Sequence, residues 1–153
     1  MTRNTTTGGN YETEICYLLE NFSNHKFESQ VVVGNKRNDG EHIVDILIGG
    51  ESTKKPNRKR PVSNHSGGEL ISLKYQGVNG TAEEKIPFEF MKLQDAIDDY
   101  GYDSATIVLA GENGWSWKDY YLSDVFRARM KKIYPDVRII SHDQFIQEYL
   151  IQE

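Results

Sequence analysis

Apolar residues at Ile15, Leu18, Leu19 and Phe22 follow the i, i+3, i+4, i+7 spacing of one helix face and predict a first helix over residues 11–22, opened by Gly8 and Gly9. The pattern then changes period. FESQVVV (27–33) is rich in β-branched residues and bounded by Gly34 and the turn-forming NKRNDG, so it predicts a strand. HIVDILI (42–48) follows closely enough to close an antiparallel hairpin, and GELISLKYQ supplies a third strand over 69–76. Between them, residues 49–68 are rich in Gly, Ser, Pro and Lys and have no period; they form a long loop or an extended hairpin tip. Helical spacing returns with Ile86, Phe90, Leu93 and Ile97, which predict a second helix starting near Pro87 and ending near Tyr100-Gly101. ATIVLA (105–110) is a continuous apolar run, as in a strand covered on both faces. GENGWSW is a loop, 118–133 a helix, VRII (137–140) a strand, and 143–151 a last helix capped by Asp143 or Ser141. The order α-β-β-β-α-β-α-β-α predicts an α/β fold, α+β-like in its first half, with a mixed sheet flanked by helices.

Composition narrows this without changing it. A chain of 153 residues buries one core, so residues 1–153 are expected to form one domain. No apolar stretch approaches the length that spans a bilayer, and the polar first nine residues lack the apolar core of a signal peptide. The expectation is a soluble, cytoplasmic protein of prokaryotic or phage type. The lone Cys16 excludes a disulfide within the chain and a thiolate metal cage, and its place in the helical pattern reads as packing. The net charge of -5 argues mildly against a nucleic-acid partner, but KKPNRKR (54–60) carries five positive charges and no negative one. Most of the acidic excess lies in 83–103, so one face can meet phosphate while another stays solvated.

Asp45 carries the sharpest chemical signal. It stands among Ile and Val in the second strand, where removing a carboxylate from water costs several kcal/mol unless a positive group compensates. Alternation places Ile43, Asp45 and Leu47 on one side of that strand, and Leu70, Ser72, Lys74 and Gln76 on one side of the next. Lys74 is thus a second charge in an apolar strand, and a hairpin-type pairing brings it beside Asp45. As a buried ion pair the two are structural. As a site, Asp45 ligates a divalent metal and Lys74 holds the attacking water or neutralises the transition state. Hard oxygen ligands without clustered His or Cys select Mg2+, with Mn2+ as a substitute.

An early helical glutamate, an acid in one strand, a lysine in the next, then a helix and an α/β tail resemble the PD-(D/E)XK superfamily of restriction-endonuclease-like nucleases over residues 11–141. The sharpest local piece, ISLKYQGVNGTAEEK (71–85), resembles the third strand and following turn of restriction-type and homing-type members. The chain departs from the pattern at Ser72, where the motif's acid belongs; Glu69, five residues before Lys74, projects from the opposite side. Some restriction enzymes of this superfamily carry a serine there and take the acid from the following helix, which points to Glu83 or Glu84. Thr81-Ala82-Glu83-Glu84 also matches a capping box, in which Glu84 bonds the helix N-terminus. Gln76 is an alternative neutral ligand or water-positioning group. Glu12 in GGNYETEI is similar to the helical glutamate that completes the metal shell, although helical period alone does not separate it from Glu14.

The resemblance implies a metal-dependent endodeoxyribonuclease that cuts duplex DNA to 5'-phosphate and 3'-hydroxyl ends. Its size suits a homing or restriction enzyme acting as a homodimer or homotetramer. Asp45 with Glu84 or Glu12 would hold the metal, and Lys74 would assist. Lys54, Lys55, Arg58, Lys59 and Arg60 would contact phosphates. A junction or repair nuclease, and an inactive nuclease-fold protein that only binds DNA or a partner, remain as alternatives, the last favoured by Ser72. Trp115 and Trp117 read as core or lid packing, and the four histidines carry no ligand spacing.

Overall fold

A computed structural model describes residues 8–35, 40–50, 67–76, 82–111 and 117–151. The elements run α1 (Gly8–Phe22), β1 (Phe27–Asn35), β2 (Glu41–Ile48), β3 (Glu69–Tyr75), a 3-10 turn (Ala82–Lys85), α2 (Ile86–Tyr100) and β4 (Ser104–Ala110). They continue with α3 (Lys118–Tyr121), α4 (Asp124–Ile133), β5 (Val137–Ser141) and α5 (His142–Tyr149). The five strands form one sheet in chain order, β1-β2-β3-β4-β5. β1, β2 and β3 pair antiparallel, whereas β3, β4 and β5 pair parallel across helical connections, so the sheet is mixed as expected. On one face α2 and α4 pack through Ile86, Phe90, Leu93, Phe126 and Met130. On the other, α1 and α5 pack through Tyr11, Ile15, Leu19, Phe145 and Tyr149. The result is a helix–sheet–helix sandwich in which β4 is buried on both faces, the reason its sequence has no alternation.

Two helices differ from the predicted bounds for a capping reason. The helix expected over 118–133 breaks after Tyr121, because Ser123 adopts an extended conformation and its Oγ accepts the Phe126 N–H at 3.2 Å, starting α4 afresh. Serine serves a helix better at its N-terminus than in its interior. At the last helix the cap is Ser141, whose Oγ accepts the Gln144 N–H at 3.1 Å, so α5 begins at His142. α2 ends where Gly101, at φ 82°, returns its N–H to the Ile97 carbonyl.

Simple alternation fails in the hairpin. Val44 and Leu47 join the core on the α2 side, while Ile46 and Ile48 join the core on the α1 side. The two-residue repeat expected from Ile43 to Leu47 therefore breaks between Val44 and Ile46, where Asp45 stands. β1 slips in the same place: Phe27 packs on the α1 side but Val31 and Val33 on the α2 side. Between them Gln30 has φ 52°, a left-handed conformation that a side chain rarely adopts. The slip changes which face the strands present at Asp45. Further along β1, the register with β2 shifts between Val32 and Gly34, where Gly34 has φ 144° and a Cβ would run into the Tyr100 ring of α2. Gly34→Ala should lower stability by about 1–3 kcal/mol in urea unfolding, through backbone strain and a displaced aromatic side chain.

Candidate active site

The antiparallel ladder between β2 and β3 runs through the pairs Ile48–Glu69, Leu47–Leu70 and Ile46–Ile71, and stops there. One residue on, Asp45 would face Ser72, so the register does not set Asp45 directly against Lys74, contrary to the expected pairing. Instead the strands part and the side chain of Asp45 fills the opening: its Oδ2 accepts the Leu73 N–H at 2.7 Å. A carboxylate thus satisfies a main-chain donor that an unbroken ladder would have given to another strand. Asp45 is held there by the chain itself, without need of a metal.

From the α1 side comes Glu12. Its Oε1 accepts the Gln30 side-chain amide at 2.7 Å, so the left-handed kink in β1 delivers a donor to this carboxylate. Glu12 comes near enough to the Asp45 carboxyl to influence its ionisation. Burial pushes the Asp45 carboxyl up to about 6; the Leu73 N–H and Lys74 pull it down, and Glu12 adds to the rise. Two neighbouring carboxyl groups, one of them half-buried, form a pair whose mutual repulsion a cation would relieve. Cys16, half-buried on α1 beside them, has its thiol pushed up by burial and by the charges of Glu12 and Asp45, which makes it a packing group and a poor nucleophile.

From the α2 side comes a group that the sequence reading missed. Glu89 is buried, with 6% of its surface exposed, and its Oε2 accepts the Ser72 hydroxyl at 2.7 Å. Its Oε1 lies 3.4 Å from Lys74 Nζ and 3.1 Å from Lys92 Nζ. Burial alone would push this carboxyl up, but Lys74, Lys92 and the serine hydroxyl outweigh it and hold Glu89 below the usual carboxylate range, hence ionised. The acid that meets Ser72 from the following helix is therefore Glu89. Its signal was in the chain: it falls three residues after Ile86 and four before Leu93, on the buried face of α2, and a charge on an apolar helix face is as informative as one in an apolar strand.

Other predicted residues are placed differently. Glu84 lies exposed in the 3-10 turn and has no hydrogen-bonding or ionic partner among the described residues, and α2 begins at Lys85 without a side-chain cap. The side chain of Glu83, Thr81 and the basic run with Lys54, Lys55, Arg58, Lys59 and Arg60 lie outside the described residues, as does Trp115. Gln76 is buried just past the end of β3, and its N–H donates to the Ala110 carbonyl at 3.2 Å. Glu69 stays away from Lys74, as expected, accepting hydroxyls of Thr106 at 2.6 Å and Tyr149 at 2.8 Å beside a cavity of about 570 Å³. Trp117 is not core: 56% of its surface is exposed.

Lys74 keeps 31% of its side chain exposed, so the ammonium that Glu89 orients also reaches solvent. The site joins a buried carboxylate with a raised affinity for protons, a second carboxylate from α1, and an anchored lysine open to an incoming anion. Among the described residues no three His, Cys, Asp or Glu side chains form a ready metal cage; Glu12 and Asp45 are neighbouring acids. Among the described residues no helix is long and apolar enough to cross a membrane. Compared with known family models, curated proteins and solved structures, the chain matches none of them.

Proposed function

We propose that this protein is a metal-dependent endonuclease of PD-(D/E)XK type that hydrolyses phosphodiester bonds of duplex DNA. The observation that carries the reading is the parting of β2 and β3 at Asp45, with Lys74 of the adjacent strand anchored to Glu89, partly open to solvent and near enough for its charge to pull the Asp45 carboxyl down. Structural ion pairs do not require a strand pair to separate. Asp45 and Glu12 fit a hard divalent cation such as Mg2+ through their oxygens, with water completing the shell. When bound, that ion would acidify a water and shield the phosphate.

The chain's own residues supply the rest. Below about pH 6 the Asp45 carboxyl takes up a proton, which a bound cation would displace, and this ties cation affinity to pH. Lys74 Nζ, held by Glu89, donates to the attacking water or to a nonbridging phosphate oxygen and offsets the charge that develops there. Ser72 takes no part in the chemistry; its hydroxyl fixes the rotamer of Glu89 and so the position of Lys74. A homodimer or tetramer acting on a roughly symmetric site accords with a chain of this size.

A second reading is a nuclease-fold protein that binds DNA without cutting it. The lack of a three-acid cluster among the described residues, with serine at 72, favours it. Plasmid DNA incubated with the native protein in Mg2+ should be nicked or cut, and EDTA should stop it. Lys74→Ala should slow cleavage by about 10²–10³-fold, the effect of removing one transition-state donor. Equal cleavage by native and Lys74→Ala protein overturns the assignment of Lys74, and binding without cleavage across metals and sequences establishes the second reading.

A further inference from the structure

The cavity of about 570 Å³ runs along β5, the last strand of the sheet, from the amino ends of β4 and β5. Glu69 stands in its wall, and five residues of extended chain, about 17 Å, separate Glu69 from Lys74, so the cavity is distinct from the site above. Its volume is that of a small-molecule pocket. On the α4 side its floor is apolar: Phe90, Ala105, Val137 and Ile139 all belong to the core between the sheet, α2 and α4. Phe90 and Ile139 are almost wholly buried, so this floor is recessed, which suits a small ligand and not the backbone of a duplex. Beside it α4 places Arg127, half-buried, and Lys131, exposed at the rim, one turn apart on one helix face.

Arg127, Lys131 and Arg138 all stand in the wall, in different surroundings. The Arg138 guanidinium is engaged, donating to Glu148, Thr106 and the Tyr149 hydroxyl. Arg127 and Lys131 make no ion pair among the described residues. Asp136, also in the wall, is turned to Gln94, whose side-chain amide it accepts at 3.0 Å. The Arg127 Nε is buried and has no hydrogen-bond partner among the described residues. A buried N–H without an acceptor is costly, and two like charges one helical turn apart repel each other; an anion seated between them offsets both costs. The pair suits a dianion. A carboxylate carries one charge, which the guanidinium fork matches alone, whereas a phosphomonoester carries about two near neutral pH and has three oxygens to share between guanidinium and ammonium. Inorganic phosphate would leave the apolar floor unused.

We propose that this cavity binds a small phosphomonoester, its phosphate held between Arg127 and Lys131 and its apolar or aromatic body against Phe90, Val137 and Ile139. Nothing in this requires the chain to be a nuclease. The test is calorimetric titration of the native protein in EDTA at about pH 8, where a phosphomonoester is dianionic. The probes are phenyl phosphate, deoxyadenosine 5'-monophosphate, inorganic phosphate and benzoate. At least one of the two esters should bind about tenfold or more tightly than inorganic phosphate and benzoate, through the second charge and the apolar contact together. Arg127→Met should weaken that ester about tenfold or more, and Lys131→Gln about threefold. Arg129→Gln, exposed on α4 outside the cavity wall, and Lys74→Ala, at the other site, should leave the affinity unchanged. Without ligand, Arg127→Met should melt no lower than the native protein, because it removes an unpaired buried donor. Should that variant fail to fold, Lys131→Gln, at an exposed position, decides. No binding of either ester, equal affinity for benzoate or inorganic phosphate, indifference to both Arg127→Met and Lys131→Gln, or an equal loss in Arg129→Gln or Lys74→Ala overturns the proposal.

Discussion

Asp45→Asn should abolish cleavage and yet give a protein more stable than the native chain at neutral pH. The asparagine carbonyl can still accept the Leu73 N–H, so the separated strands keep their cross-link, while the buried charge disappears. The sign follows from the Asp45 carboxyl, raised to about 6 in the fold from the ordinary 3.8. A group whose proton is held more tightly in the folded state adds stability below its unfolded value and loses that stability as pH rises through the folded one. At pH 7.5 the ionised Asp45 thus opposes folding, by up to about 3 kcal/mol on the pKa difference. Urea unfolding in EDTA at pH 7.5 should show Asp45→Asn the more stable by about 1–3 kcal/mol, and the gap should close below about pH 4. Saturating Mg2+ should narrow it from the other side, by stabilising only the native protein. An asparagine variant less stable than native at pH 7.5 would show the carboxylate already compensated and remove the reason to place a cation there.

Glu89 should behave in the opposite way. Glu89→Ala removes a buried anion that two lysines and a serine hydroxyl share, and should lower stability by about 2–4 kcal/mol. The lower part of the range for breaking a buried ion pair applies because Lys74 and Lys92, 31% and 22% exposed, can turn to water. Glu89→Gln keeps an acceptor for Ser72 but frees Lys74, and should cost less stability while slowing cleavage about 10²-fold or more. The contrast with Asp45 is diagnostic: one acid supports the fold at neutral pH and the other opposes it. Chemical unfolding and single-turnover cleavage of the four proteins, native included, measure both. Full activity in Glu89→Gln would reduce Glu89 to a packing residue.

The reach of the sequence varied with the kind of physics involved. Periodicity located the strands and put Ser72 and Lys74 on one common side of β3, which the structure turns toward α2, because β3 is a regular strand with both faces covered. It failed in β1 and β2, where the left-handed Gln30 and the slip at Asp45 break the two-residue repeat; a backbone kink at a polar residue has no hydropathy signature. The helix over 118–133 was drawn too long because Ser123 scored as one polar residue among several, when its role is to cap. Asp45 and Lys74 stood out as charges in apolar strands. Glu83 and Glu84 stand nearer Lys74 along the chain than Glu89 does, but it is the 3.6-residue repeat of α2 that turns Glu89 to the lysine. Residue type alone reads Trp117 as core or lid packing, and the structure leaves it 56% exposed.

A main-chain amide bonded to a carboxylate is a built-in spectroscopic reporter. The proton on Leu73 nitrogen bridges to Asp45 and not to a neighbouring strand, so its chemical shift and deuterium exchange should follow the charge state of that one side chain, while Ile71 in the intact ladder stays indifferent. In a heteronuclear correlation spectrum the Leu73 peak should move with a midpoint near pH 6 in metal-free buffer, and the same peak should respond to added Mg2+. The occupancy of the centre can then be read in solution with no DNA present.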